Sequence, residues 1–141
     1  MATHELTFVD TNVLVYAHDG SETVKQPLAR MLLEELWASR TGSLSTQVLQ
    51  EFYMVATRKF DPPMSRNEAR EIVALYAAWP LVLVDLPLIL TASNLEERHR
   101  LSFWDALIIE AATRAGAARV VTEDLQGGRV IDGVRIENPF S

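Results

Sequence analysis

The sequence of 141 residues is long enough for one domain, here taken as residues 1–141, and can bury a core without disulfide bonds or a structural metal. It contains no cysteine, which excludes a disulfide framework, thiol catalysis and cysteine-ligated zinc. The 13 basic and 19 acidic residues give a net charge of −6, which argues against a protein that coats nucleic acid or an anionic membrane electrostatically.

The chain begins with a polar segment, Met1–Glu5, which does not resemble a signal peptide. No apolar stretch approaches the roughly 20 residues that a helix needs to span a bilayer. We therefore expect a cytoplasmic protein with no membrane contact.

Hydrophobic spacing and turn residues in the first half predict two short strands and four helices. In chain order these are a strand over 6–9, helices over 13–17 and 24–40, a strand over 43–45, and helices over 46–60 and 65–79. The helix over 24–40 is expected to bury a stripe formed by Val24, Leu28, Leu32 and Leu36 and to end at Gly42. Met31 and Leu33 add apolar bulk beside that stripe, which fits contact with a partner chain and burial on two sides equally well.

The second half continues the alternation of strands and helices. It predicts a strand over 81–84, a helix with Pro87 in its first turn, a helix over 102–115, a strand over 119–122, and edge strand over 130–131 and 134–136. Such alternation is typical of an α/β fold with a mostly parallel sheet and helices on both faces. Because ligands bind at the carboxyl edge of such sheets, chemistry is expected directly after Val9 and Thr122.

Four acidic residues stand out against this predicted fold. Asp10 and Asp124 follow the first and fourth strands, and Glu51 and Asp105 share helix faces with apolar residues. A buried carboxylate without a partner is costly, and no Lys or Arg lies near these acids on the two helix faces. A divalent cation would serve all four, and a ligand set made only of carboxylates selects Mg²⁺ or Mn²⁺.

A carboxylate-bound metal suits phosphodiester hydrolysis, because it lowers the pKa of bound water and neutralises charge on the phosphate. Thr11, Asn12 and Thr122 lie where they can orient the carboxylates by hydrogen bonds. Each acid also has a simpler interpretation on its own. Asp10 could be the N-cap of a helix, and Asp105 could lie in the first turn of a helix that Ser102 caps. Asp124 could be an ordinary turn residue, and Glu51 could lie at the solvated edge of a helix.

Four segments in order resemble a PIN domain, and the length matches a stand-alone protein of the VapC toxin type. They are FVDTNVL from Phe8, TQVLQEF from Thr46, SFWDALI from Ser102 and VTEDL from Val121. The resemblance implies a PIN-like three-layer α/β/α sandwich with a short, mostly parallel central sheet. It also implies a Mg²⁺-dependent endoribonuclease, with Mn²⁺ able to substitute, that forms a homodimer and is inhibited by a cognate antitoxin protein.

The same resemblance implies roles for the site residues. Asp10, Glu51, Asp105 and Asp124 match the acidic quartet of the family, and Thr11, Asn12 and Thr122 match its flanking polar positions. We expect Asp10, Asp105 and Asp124 to hold the metal, and Glu51 to position or deprotonate the attacking water. Some family members carry a further acid just beyond the fourth, where this chain has Gln126-Gly127-Gly128.

Two alternatives keep the fold but change the function: an RNA-processing nuclease without a toxin role, and a catalytically inert PIN-like binding scaffold. A phosphoacceptor receiver domain needs a lysine after a late strand, and neither Lys25 nor Lys59 lies there, so this class is excluded. A dehalogenase-type phosphatase needs a second Asp two residues after the first, and position 12 is Asn, so this class is excluded too.

The sequence identifies residues that could contact a substrate less clearly than it identifies the acidic site residues. Arg58, Lys59, Arg66 and Arg70 fit either contact with an RNA backbone or a solvated helix surface. Trp37 and Trp104 fit either base stacking or the core, and we favour the core. His18 and His99 are expected to be surface residues.

Overall fold

The computed structural model describes residues 5–125 and 127–141. Met1–His4 of the polar N-terminal segment and Gln126 lie outside the described residues. Across the described residues the helices are α1 (Thr11–His18), α2 (Lys25–Ser39), α3 (Thr46–Arg58), α4 (Arg66–Tyr76), α5 (Leu86–His99) and α6 (Phe103–Ala115). The strands are β1 (Leu6–Val9), β2 (Gly42–Ser45), β3 (Leu81–Val82), β4 (Ala117–Val121), β5 (Val130–Ile131) and β6 (Val134–Glu137).

The strands form one sheet in the order β3-β2-β1-β4-β6-β5. All neighbouring strands are parallel except β5 and β6, which form an antiparallel hairpin at one edge. Helix α6 packs against β1, β2 and β3 and is itself covered by α5, while α1 to α4 pack on one another in a second layer. The predicted α/β/α sandwich with a mostly parallel sheet is confirmed.

The central position of β1 determines where polar side chains gather. Val9 at the end of β1 lies in register with Val121 at the end of β4, and the Asp10 backbone N–H donates to the Val121 carbonyl at 3.1 Å. β2, on the other side of β1, ends at Ser45, whose side chain caps α3 by accepting from the Val48 N–H. The residues after β1 and β4 and the first turns of α3 therefore meet at one edge of the sheet.

The predicted buried stripe of α2 is wrong in part. The helix buries Ala29, Leu33 and Leu36, whereas Val24 and Leu28 are exposed. Residues spaced strictly four apart drift around a helix by about 40° at each step, so a stripe of four such residues does not stay on one face. Leu33 thus belongs to the core, and Met31 remains exposed.

Gly42 does not end α2, as the sequence led us to expect. The helix ends at Ser39, and Arg40 occupies the left-handed region at φ 59° as its C-cap. Gly42 opens β2 instead, where a Cβ atom would lie only 2.6–2.7 Å from the ring of Trp79. The glycine is therefore required by close packing within the sheet layer and not by a turn.

The remaining boundaries differ from those expected from the sequence by at most three residues. α4 stops at Tyr76, three residues before the predicted Trp79, and β3 pairs with β2 over Leu81–Val82 only. No helix among the described residues has the length and apolar character needed to cross a membrane.

Candidate active site

Asp10 lies at the centre of the carboxyl edge of the sheet and is only 5% exposed. Its Oδ1 accepts a hydrogen bond from the Thr11 backbone N–H at 2.7 Å, which makes it the N-cap of α1. Its Oδ2 accepts from the Thr122 hydroxyl at 2.8 Å. The interpretation of Asp10 as a helix N-cap is therefore confirmed, and its second carboxylate oxygen is held by Thr122 at the edge of the sheet.

Burial raises the pKa of Asp10 from 3.8 to about 6. The hydrogen bonds from Thr122 and Thr11 act in the opposite direction, and the nearby charges of Asp124 and Glu51 raise the pKa further. Within the described part of the chain, neither Asp10, Glu51 nor Asp124 takes part in an ion pair. The carboxylate of Asp10 is thus buried beside two other acids without a compensating side-chain cation.

Thr122 and Asn12 join the loop after β4 to α1. Thr122 is completely buried, and its hydroxyl oxygen accepts from the Asp124 backbone N–H at 3.1 Å while its O–H donates to Asp10. The Asn12 amide donates to Asp124 Oδ2 at 3.1 Å, and its Oδ1 accepts from the Glu123 N–H at 3.2 Å. These contacts bring Asp124, which is exposed to solvent, to the same edge as Asp10.

Glu51 reaches the same edge from α3. Its Oε2 accepts from the Thr11 hydroxyl at 3.3 Å, and its Oε1 accepts from the Gln47 amide at 2.9 Å. The side chain is half-buried, so it lies at the margin of the apolar stripe of α3. Gln47, one turn earlier and almost fully buried, was not identified from the sequence, although its spacing of four residues from Glu51 was a usable signal.

Asp105 stands apart from the other three acids. It lies in the first turn of α6, partly exposed, and its backbone N–H donates to the Ser102 hydroxyl at 3.1 Å. Among the described residues, its carboxylate forms no hydrogen bond or ion pair with Asp10, Glu51 or Asp124. Its neighbour Trp104, however, lines a cleft of about 390 Å³ together with Glu51 and Met54. The N-terminus of α6 therefore borders the site.

The donor chemistry of these side chains fits a hard divalent cation. The buried carboxylate of Asp10, whose pKa is raised and which lies beside two further acids, is the kind of group that such an ion would neutralise. In residues 5–125 and 127–141, no three His, Asp or Glu side chains are arranged so as to enclose an ion. The structure thus gathers three of the predicted carboxylates without closing them into a complete cage.

A second group of residues behind the site was missed by the sequence analysis. Lys25 Nζ lies 2.6 Å from Glu123 Oε2, the Tyr16 hydroxyl donates to Glu123 Oε1, and the Lys25 ammonium lies 4.7 Å from the centre of the Tyr16 ring. Burial acts to raise the pKa of Glu123, but the hydrogen bonds from Lys25 and Tyr16 hold it below its ordinary value. The Glu123 carboxylate is therefore paired with Lys25 and Tyr16, whereas the carboxylate of the adjacent Asp124 faces the site.

The histidines and tryptophans differ in part from expectation. His18 is half-buried against Phe52 and Tyr76, its Nε2 has no hydrogen-bond partner among the described residues, and burial together with Arg30 lowers its pKa. It is therefore only partly a surface residue, because the last turn of α1 packs against Phe52 and Tyr76. His99 is partly exposed, 3.6 Å from Asp132.

The two tryptophans considered for base stacking have different environments. Trp37 packs in an aromatic cluster with Tyr76 and Trp79, as favoured from the sequence. Trp104 is 65% exposed, so its assignment to the core was wrong. Arg58, Lys59, Arg66 and Arg70 are all exposed, and none of them forms an ion pair within the described residues.

Comparison with known proteins places this geometry in context. The model of the PIN domain family matches residues 7–130. No curated protein sequence matches the chain significantly.

Several solved structures share the fold. A toxin–antitoxin complex from Klebsiella pneumoniae aligns with a TM-score of 0.71 at 16% identity, covering 95% of this chain and 98% of that one. The VapBC pair of Rickettsia felis bound to a promoter DNA fragment aligns with a TM-score of 0.61 at 20% identity, covering 94% of this chain and 98% of that one. A VapC toxin of Mycobacterium tuberculosis that cleaves the sarcin–ricin loop aligns with a TM-score of 0.58 at 21% identity, covering 81% of this chain and 86% of that one.

Proposed function

Because the chain belongs to the PIN domain family, we propose that it is a Mg²⁺-dependent endoribonuclease and the toxin of a toxin–antitoxin pair. The observation that carries this proposal is the buried carboxylate of Asp10, held by Thr11 and Thr122 beside Glu51 and Asp124. A scaffold that only binds a partner has no need of a carboxylate whose ionisation is opposed by burial and by two neighbouring acids.

Each acidic residue has a proposed role that follows from its position. Asp10, Asp105 and Asp124 would hold the ion, with Mn²⁺ able to replace Mg²⁺. Asp105 is included because its motif matches the family and because Trp104, next to it, shares a cleft with Glu51. Glu51 orients the attacking water and accepts its proton, since its side chain is half-buried and reaches the site from α3.

The polar residues orient these carboxylates. Thr122 fixes one oxygen of Asp10, and the Thr11 N–H fixes the other. Asn12 holds Asp124 and the Glu123 backbone, so the loop after β4 is attached to α1. When bound, a divalent cation supplies positive charge to the scissile phosphate and makes a bound water more acidic.

The nuclease proposal is tested by incubating the purified protein with single-stranded RNA, with Mg²⁺ and with EDTA. We expect cleavage in Mg²⁺ only, and a loss of at least about 10²-fold in Asp10→Asn and Asp105→Asn, because each substitution removes a charged ligand. Glu97→Gln, which removes an exposed carboxylate on α5, serves as the matched control and should cleave as the unmodified protein does. Full cleavage in EDTA or in both Asn variants would refute the assignment.

The toxin role and its partners need a separate experiment. Induced expression should arrest growth, and co-expression of the product of the neighbouring gene should relieve the arrest by binding the protein. We propose that the protein alone is a homodimer, which sedimentation at micromolar concentration will test. Cleavage without growth arrest would leave the RNA-processing nuclease as the better description.

A further inference from the structure

We propose that Trp104 is a stacking platform for an unpaired base of the RNA substrate, next to the site of cleavage. The inference rests on the proposed nuclease function and extends it to a substrate contact. The three tryptophans differ in their exposure to solvent. Trp37 and Trp79 pack against Tyr76, whereas Trp104 leaves 65% of its surface in contact with solvent.

The exposed indole is supported on one side by the start of α6. Trp104 lies in the first turn of α6, where the Ser102 hydroxyl caps the helix by accepting from the Asp105 N–H at 3.1 Å. Phe103, which packs against the core, contacts the indole edge to face with ring centres 5.5 Å apart. The contact with Phe103 restricts the ring on one side and leaves its other surface open for a second ring to stack on it.

The ring also lies beside the acidic site. Trp104, Met54 and Glu51 line one cleft of about 390 Å³, a volume in the range of sites for small ligands. Glu51 is connected to Asp10 through Thr11, whose hydroxyl donates to Glu51 and whose N–H donates to Asp10. A group in the cleft is therefore adjacent to the carboxylates that would act on a phosphodiester.

The lining of the cleft favours a base over a phosphate. Trp104 and the partly exposed Met54 offer apolar walls, and Glu51 offers carboxylate oxygens that accept hydrogen bonds. The described residues that line the cleft include no cation that would bind a phosphate, whereas the face of the indole can stack on a base. Bases within a duplex already stack on both faces, so only an unpaired base can use the ring, which selects single-stranded RNA.

The test measures binding of a short, mixed-sequence, single-stranded oligoribonucleotide in EDTA, where the proposed function predicts no cleavage. We expect Trp104→Ala to weaken binding about tenfold, and Trp104→Phe, which keeps an aromatic face, to recover most of the affinity. The quenching of tryptophan fluorescence by RNA should be largely lost in Trp104→Phe. Met31→Ala, which removes an exposed apolar side chain from α2, is the matched control and should bind normally.

An abasic oligonucleotide with the same phosphates separates stacking from electrostatic attraction. Its weaker binding should be the same for the unmodified protein and for Trp104→Ala, because no base is present to stack. Equal losses on the intact and the abasic strands would refute the proposal. In Mg²⁺, the KM of Trp104→Ala for RNA should rise about tenfold with a smaller change in kcat.

The outcomes separate this inference from the proposed function. If the unmodified protein cleaves RNA and Trp104→Ala binds equally well, the stacking platform is wrong and the nuclease remains. If the unmodified protein neither binds nor cleaves RNA, both fail. If Trp104→Ala changes the oligomeric state or antitoxin binding but not RNA affinity, Trp104 is a protein contact and the proposal is overturned.

Discussion

The Asp10 side chain caps a helix and also belongs to the proposed site. One oxygen caps α1 and the other accepts from Thr122, so the carboxylate is oriented before any ligand arrives. Asn is also a good N-cap residue and has an oxygen that can serve one of these bonds. Asp10→Asn therefore removes the charge while preserving most of the local geometry, which makes it more informative than Asp10→Ala.

The raised pKa of Asp10 predicts how stability changes with pH in EDTA. Between about pH 4 and pH 6 the folded protein keeps the proton on Asp10 while the unfolded chain has lost it, so stability falls as pH rises through this window. A rise from 3.8 to about 6 corresponds to about 3 kcal/mol. Chemical denaturation from pH 4 to pH 7 should show this decline in the unmodified protein and a much smaller one in Asp10→Asn. Parallel profiles for the two proteins would contradict it.

The sequence predicted the position of Asp10 and Asp124, because residues that follow parallel strands meet at one sheet edge. It did not predict Tyr16 and Lys25 as the partners of Glu123, since these contacts join residues about a hundred positions apart and leave no periodic pattern. The exposure of Trp104 was missed for a related reason. Its aromatic character fits a core equally well, and only the packing of α6 determines which side faces solvent.

Helices and strands were easier to predict than the faces they bury. Polar residues that precede helices do cap them. Four such residues each accept from the backbone N–H of the residue three positions later: Ser45, Ser65, Asp85 and Ser102. The rotation of α2 about its axis was not predictable, because its many apolar residues allow more than one stripe. Contact with α1 selects the stripe that contains the small residue Ala29.

The start of β2 offers a test of close packing. A methyl group at position 42 would lie 2.6–2.7 Å from three ring atoms of Trp79, which itself packs against Trp37 and Tyr76. We expect Gly42→Ala to lower the free energy of unfolding by about 1–3 kcal/mol, as overpacking does elsewhere. Gly20→Ala, where no atom lies within 4 Å, is the control and should change stability by less than about 0.5 kcal/mol. Equal stability of the two variants would show that Trp79 moves at no cost.

Much of the net negative charge of the whole molecule belongs to the proposed site. Setting aside the four acidic residues of the proposed site reduces the acidic excess from six charges to two. The remaining net charge is close to zero, so it neither repels RNA strongly nor favours non-specific coating of RNA. A substrate would then be held by local contacts at the site, which is consistent with a role for an exposed aromatic ring.

Divalent ions should stabilise the whole molecule, because an ion that binds only the folded state shifts the folding equilibrium. At about a hundredfold excess over Kd the gain is about 2.7 kcal/mol, measurable as a rise in Tm. We expect this rise with Mn²⁺ and Mg²⁺ in the unmodified protein and in Glu97→Gln, and its loss in Asp10→Asn. An unchanged Tm in saturating Mn²⁺ would favour the inert scaffold over the nuclease.

The pairing of β1 with β4 has a consequence for synthesis on the ribosome. Asp10 and Thr122 are separated by 112 positions, yet their hydrogen bond lies at the centre of the site. A nascent chain that has released β1 through α5 can pack its early helices but still lacks α6, β4 and the loop that carries Asp124. The translating ribosome, itself made of RNA, is therefore not exposed to an assembled site until most of the chain has left the exit tunnel.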